Sequence, residues 1–211
     1  MAKQFRAAVM SADIVGSTSL KPQKRKELQK LIDSFFTGKK QIFKDLRFEQ
    51  FRGDSMQIVL TDNKKNALKL ALELSTFLKI SNFEIRIAIG LGEISYDTGR
   101  VVTSDGTAFQ LSGPAVDELK KRNDLIDVKF DLEVLNDEWE TNNNSMNFIL
   151  KKISSRQAEA TYLALEDLKQ EEIAKKLKIS QPSVHHRLKT AGADVFYSMI
   201  RRFETVVEKN Y

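Results

Sequence analysis

FRAAVMSADIVGST (residues 5–18) joins an unbroken apolar run to a carboxylate, a glycine and two small hydroxyl residues. Residues 5–15 predict a strand buried on both faces, because apolar side chains continue through positions that would alternate in a half-exposed strand. Asp13 sits near the end of that strand. Gly16, Ser17 and Thr18 follow, a stretch of backbone free enough to wrap a phosphate.

Working outward, residues 21–36 predict a helix, with Leu28, Leu31, Ile32 and Phe35 at three- and four-residue spacing. Residues 47–60 read as two strands around Gly53-Asp54, a hairpin signal. Residues 64–80 form an amphipathic helix. In 83–94, Ile85, Ile87, Ile89 and Leu91 alternate with lesser neighbours, as in a half-buried strand. A helix over 107–122 and a strand within 125–135 complete the order β-α-β-β-α-β-α-β. That order predicts an α+β, ferredoxin-like sandwich with helices on one face of a mainly antiparallel sheet. NDEWETNNNS (136–145) has no apolar period and predicts a turn or linker, which divides the chain into residues 1–140 and 141–211.

The totals exclude several classes. The chain has 211 residues, 41% hydrophobic and 30% charged, which suits a globular protein able to bury a core. Its apolar runs fall short of the ~18 residues that cross a bilayer, so no membrane partner is expected. The opening MAKQFR has no apolar region of a signal peptide, and a cytoplasmic location is expected. With no cysteine, disulfides, thiolate zinc sites and a cysteine nucleophile are excluded. The formal charge of +5 is mild, but Lys175, Lys176, Lys178, Arg187 and Lys189 gather within one short segment.

That segment, QEEIAKKLKISQPSVHHRLK (170–189), predicts a helix-turn-helix. Ile173, Ala174 and Leu177 line a first helix, Ile179 anchors the turn, and Ser180 caps a second helix that packs Val184 and Leu188 inward. Pro182 falls in that helix's first turn. Lys178 occupies a turn position that usually holds glycine, and is tolerated if the turn avoids positive φ. Upstream, Ser154 and Gln157 have capping-box spacing and open a supporting helix. In this plan the second helix enters the major groove, with Gln181, Ser183, His185, His186, Arg187 and Lys189 toward DNA and Lys175 and Lys176 on phosphates. A helical hairpin with a solvated basic face has the same pattern. His185 and His186 are adjacent, a poor spacing for metal, and read as groove-facing or solvated. A last helix over 193–209 carries an apolar stripe from Val195 to Val207 that could pack on the first domain or on a second copy, and a homodimer is expected.

Two carboxylates at strand ends, Asp13 and Asp54, could hold Mg²⁺ and a nucleotide, although an aspartate in a Gly-Asp turn needs no further reason. Here a resemblance adds to the reading. SADIVGST, FEQFRGDSMQIVL, IRIAIGLGEI and DGTAFQLSGPAVDELKK follow the order and rough spacing of class III nucleotidyl cyclase motifs. With the helix-turn-helix appended, the whole resembles the SatD family, in which a cyclase-like domain is joined to a DNA-binding module. The resemblance implies a class III cyclase-like fold with Asp13 and Asp54 as metal ligands, and Gly16, Ser17, Thr18, Gln50 and Gln110 around the nucleotide. It also marks departures. Gln50 replaces the lysine that reads adenine, while Gln110 and Pro114 replace an asparagine and a charge-stabilising arginine. Two functions follow: a DNA-binding regulator with a catalytically degenerate sensor or dimerisation domain, or an active metal-dependent cyclase or related phosphoryl-transfer enzyme. A module that binds only protein is a third.

Overall fold

Phe5–Ile14 forms β1, the middle strand of a five-stranded sheet of order β2-β3-β1-β4-β5. The computed structural model describes residues 5–51 and 53–211. Residues 1–4, at the head of the segment read for a leader, and Arg52, in the expected hairpin, lie outside the described residues. β2 (Arg47–Phe51) and β3 (Ser55–Leu60) form the hairpin, and β1 pairs antiparallel with both β3 and β4 (Ile85–Ile94). β5 (Ile126–Phe130) runs parallel to β4, and α3 (Thr107–Arg122) makes the crossover that a parallel pair requires. The class is α+β in the expected element order.

The helices cover both faces of the sheet, not one. Ala8, Met10, Ala12 and Ile14 of β1 pack with α1 (Pro22–Ile42) and α2 (Ala67–Ile80), while Ala7 and Val9 face α3. The reason lies in β4, whose second face carries Ala88 and Gly90. A Cβ at Gly90 would collide with the Ala108 carbonyl oxygen and lie 3.0 Å from Leu111 Cβ. Small residues therefore let α3 lie directly on the sheet, and the strand expected to be half-buried is buried on both sides.

The largest departure is at 136–145, which is not a linker. β5 ends at Phe130, and α4 (Glu133–Lys152) runs straight through the asparagine-rich segment, so the expected division at residue 140 falls inside a helix. Asparagine is a mediocre helix former because its amide competes for backbone hydrogen bonds. Here those amides bond a different backbone, the open edge of β5. The Val128 N–H donates to Asn143 Oδ1 (3.0 Å), and Asn143 Nδ2 donates back to Val128 O (3.2 Å) and to Asp127 Oδ1 (2.6 Å). Asn136 makes the same reciprocal pair with Phe130 (2.9 and 3.0 Å), and Asn147 with Ile126 (3.0 and 2.8 Å). Offsets of seven and eleven residues return to nearly the same side of a 3.6-residue helix, so one stripe of amides stands in for a sixth strand.

The rest of the chain is helical: α5 (Ser155–Leu165), α6 (Gln170–Leu177), α7 (Gln181–Thr190) and α8 (Ala193–Asn210). Ala160, Leu163, Ile173, Ala174, Val184 and Leu188 give α5–α7 a small core of their own. The apolar stripe of α8 is used within the chain: Phe196, Phe203, Val206 and Val207 join the main core, with Phe203 edge-on to the buried Trp139 of α4 at 5.5 Å. The buried Lys39 of α1 ties the two parts together, its ammonium 2.6 Å from both Glu73 of α2 and Glu166 at the end of α5. One cation cannot neutralise two carboxylates. Burial pushes the Glu73 carboxyl up to about 7, with Lys39 pulling it down and Glu166 adding to the rise.

Two outcomes follow. Asn143→Ala leaves the Val128 amide and the Asp127 carboxylate short of partners, a loss of about 3 kcal/mol. That lowers Tm by roughly 6–12 °C, whereas Asn144→Ala, one position on and exposed, leaves Tm unchanged or raised; equal effects would remove the edge-pairing role. For Glu73, a folded value of about 7 lies above the ordinary 4.5, so its contribution is full below 4.5 and fades as pH rises through 7. Thermal stability of the wild type should therefore fall from about pH 4.5 to about 7 and level off above, and Glu73→Gln should flatten that slope; an unchanged slope assigns it to another group.

Candidate functional sites

Asp13 is the last-but-one residue of β1, on the face toward α3, and only 5% exposed. Strand register sets it opposite Arg86 of β4, whose guanidinium is 3.6 Å from Asp13 Oδ2. Lys120, in the last turns of α3, brings its ammonium to 3.4 Å from the same oxygen. The other oxygen, Oδ1, is buried with no hydrogen-bond partner. Burial raises the carboxyl above its ordinary range; Lys120 and Arg86 oppose this, and nearby Asp54 adds to it. Two cations and one half-satisfied carboxylate make a charged corner at the end of the sheet.

The structure brings Asp54, Gly16 and Ser17 to that corner. The Ile14 amide donates to the Asp54 carbonyl at 3.3 Å, which ties the hairpin to the end of β1. The Ser17 hydroxyl donates to the Asp54 carboxylate. Gly16 takes φ 67°, the left-handed turn that starts a short 3₁₀ segment over Ser17–Ser19. A cavity of about 290 Å³ opens on the α1 side of Asp54, lined in part by Ser17, Thr18, Arg25, Gln29 and Asp54 but not by Asp13, Arg86 or Lys120. Arg25 is held to the Thr18 carbonyl at 3.2 Å.

The two glutamines behave differently. Gln50 is beside the hairpin, but its amide donates to the Gly53 carbonyl (2.8 Å) and accepts from Gln29 (2.9 Å). Gln110 lies exposed in the first turn of α3, 3.4 Å from Asp105. Ten residues separate it from Lys120, about 15 Å of helix, so it is not brought to Asp13 within the chain. Arg86 was not singled out from the sequence; its signal was a charged residue in the strand that pairs with Asp13, visible only once register is known. Among the described residues no group of three or more His, Asp or Glu side chains is arranged to hold a metal. The fit to a divalent cation rests on Asp13 Oδ1 and Asp54, two hard oxygen donors of which one is orphaned.

α6 and α7 form the second candidate. Ser180 caps α7 by accepting from the Ser183 amide at 3.3 Å, and the Ser154–Gln157 capping box on α5 is complete. Lys178 does adopt positive φ (55°), so the condition set for lysine at this turn is not met; its amide closes the end of α6. On α7, Gln181, Pro182, Ser183, His185, His186 and Lys189 are exposed, as are Lys175 and Lys176 on α6. Arg187 differs: its guanidinium turns back to α5, 3.3 Å from Glu159 and 3.4 Å from the Arg156 carbonyl. The histidines show no metal-binding grouping. No helix among the described residues is long and apolar enough to cross a membrane.

Against known proteins, the model of the SatD family matches residues 7–205. No curated protein matches. Among solved structures, the chain is similar to a bacterial light-regulated adenylyl cyclase, with 13% identity, a TM-score of 0.44, and 59% of this chain and 75% of that chain covered. It is similar to the adenylyl cyclase CyaB from P. aeruginosa at 16% identity and a TM-score of 0.41, over 55% of this chain and 73% of that one. A class III adenylyl cyclase-like ATP-binding protein from Pseudomonas aeruginosa aligns over 98% of this chain, 44% of its own length, at 13% identity and a TM-score of 0.31.

The buried pair makes a direct test. Asp13→Ala strands Arg86 and should cost about 3 kcal/mol in urea unfolding. Adding Arg86→Met should recover part of that loss; a double variant as unstable as the sum of the singles would show that the two charges are not coupled.

Proposed function

The chain belongs to the SatD family, and on that premise we propose a DNA-binding transcriptional regulator whose sheet unit is a nucleotide-responsive platform without cyclase turnover. The observation that carries this reading is the surface of α7. It is a capped helix on a three-helix core, with Gln181, His185, His186 and Lys189 exposed on one polar, basic side. Glutamine and lysine are side chains that read base edges, and Lys175 and Lys176 have the reach and charge for phosphate. Arg187, engaged with Glu159, instead ties α7 to α5. We assign DNA contact to the helical segment and ligand response to residues before it. A homodimer, presenting two α7 helices about 34 Å apart, would suit a two-fold operator.

The orphaned Asp13 Oδ1 supports the second half of the reading. Asp13 and Asp54 would hold a divalent cation accompanying a nucleotide, with Gly16, Ser17 and Thr18 toward the phosphates and Gln50 near the base. Such a cation neutralises phosphate charge. Pro114 offers neither charge nor donor where the family resemblance calls for an arginine, which favours binding over turnover. Active cyclisation is the competing reading, and product formed from any nucleoside triphosphate would favour it.

Genomic DNA capture and sequencing with the purified protein at about 0.15 M salt tests the proposal, since phosphate-based affinity depends steeply on salt. Fragments sharing a motif should be enriched, lost in the Lys189→Ala/His186→Ala double variant, and altered in yield by Mg²⁺ with a nucleotide in the wild type but not in Asp54→Asn. No enrichment with or without nucleotide would remove the DNA-binding reading.

A further inference from the structure

A cavity of about 690 Å³ lies between the end of α4 and the turn from α7 to α8, away from Asp13 and touching the outward side of α7 only at Lys189. Phe148, Ile149, Ile153, Ala191 and Val195 give it apolar surface, beside the uncharged Thr141, Asn144, Ser145 and Thr190. Phe148 is 61% exposed, an aromatic ring the fold leaves open. The Lys152 ammonium lies 3.6 Å from the centre of that ring, and Lys189 borders the same cavity from the other side. None of the residues lining it is acidic.

We propose that this cavity binds a small aromatic anion, a flat apolar ring system carrying one carboxylate or sulfonate. Three observations select that chemistry. The volume is that of a small-molecule site. Phe148, exposed at the cavity, is an aromatic partner for an offset-stacked or edge-on ring. The two lysines leave an uncompensated positive rim beside that apolar surface, which a neutral ligand would not use and a cation would avoid. A second copy of the chain is a poorer occupant, since a two-fold axis across the cavity brings both Lys152–Lys189 pairs together. Because Lys189, Thr190 and Ala191 belong to the end of α7, a bound ligand also fixes that end against α4; this consequence, unlike the site itself, rests on the DNA-binding reading.

The test uses the full chain, 1-anilinonaphthalene-8-sulfonate as fluorescent probe, and 2-naphthoate against 2-naphthalenemethanol as competitors. Saturable one-to-one binding is expected, with naphthoate displacing the probe about tenfold better than the neutral alcohol or more. Phe148→Ala and Lys152→Glu, both at exposed positions, should keep Tm and each weaken binding by about tenfold. Absence of saturable binding, or binding indifferent to both variants, would overturn the site. So would sedimentation showing a wild-type dimer that Phe148→Ala dissociates, which would give the cavity to a second copy. No step involves DNA or Mg²⁺, so failure here leaves the earlier reading standing.

Discussion

The open edge of β5 is the constraint on which the arrangement depends. A parallel strand at the border of a sheet exposes alternate amides and carbonyls that must be satisfied or shielded. Here α4 does both, through amide pairs from Asn136, Asn143 and Asn147. Three such pairs fix not only where α4 lies but its rotation, because the amides must all face the strand. That rotation directs Trp139 and Met146 into the main core. α8 then has a surface to pack on, and Phe203 meets Trp139 and Phe130. Hydrogen-bonding geometry at one strand edge thus decides where the last third of the chain can go.

The two parts of the molecule meet at a second polar feature, the Lys39 triad, and the contrast with Asp13 is instructive. Lys39 is shared by two carboxylates, an arrangement short of one positive charge. Asp13 is shared by two cations, an arrangement with one to spare. Buried pairs give little net stability because desolvation offsets attraction, but they penalise the loss of one member heavily. The triad therefore acts as a fastener between α1, α2 and α5, reinforced by the ring contact of Phe77 and Tyr162 at 5.2 Å.

What could be read from the sequence was local. The element order, the helix over 107–122, the Ser154–Gln157 box and the Ser180 cap depend on residues within a few positions of one another, and all are found. α4 was not legible because its asparagines answer to backbone groups of β5 that no short window contains; read alone, NNNS carries turn chemistry. The site was legible in part for the same reason. Asp13 and Asp54 stand out by position at strand ends, but Arg86 and Lys120 reach Asp13 only through register and helix packing. Lys178 shows the limit of local rules from the other side, since the turn takes positive φ although the residue disfavours it.

The surplus of cations at Asp13 bears on what that corner can hold. A free divalent ion approaching Oδ1 would gain the Asp13 and Asp54 carboxylates but meet Arg86 and Lys120, each repelling it by about 4 kcal/mol per unit charge at roughly 4 Å and an effective dielectric of about 20. Lys120 is 46% exposed and has a second partner in Asp117 at 3.6 Å, so it can withdraw along its own helix; Arg86, 12% exposed, cannot. An ion that arrives already wrapped in phosphate carries its own negative charge and turns the same two side chains from repulsive to attractive. On the nucleotide-binding proposal, Arg86 and Lys120 would thus favour an anionic complex of the cation over the bare ion, a preference set by two positive side chains rather than by the carboxylates that mark the site in the sequence.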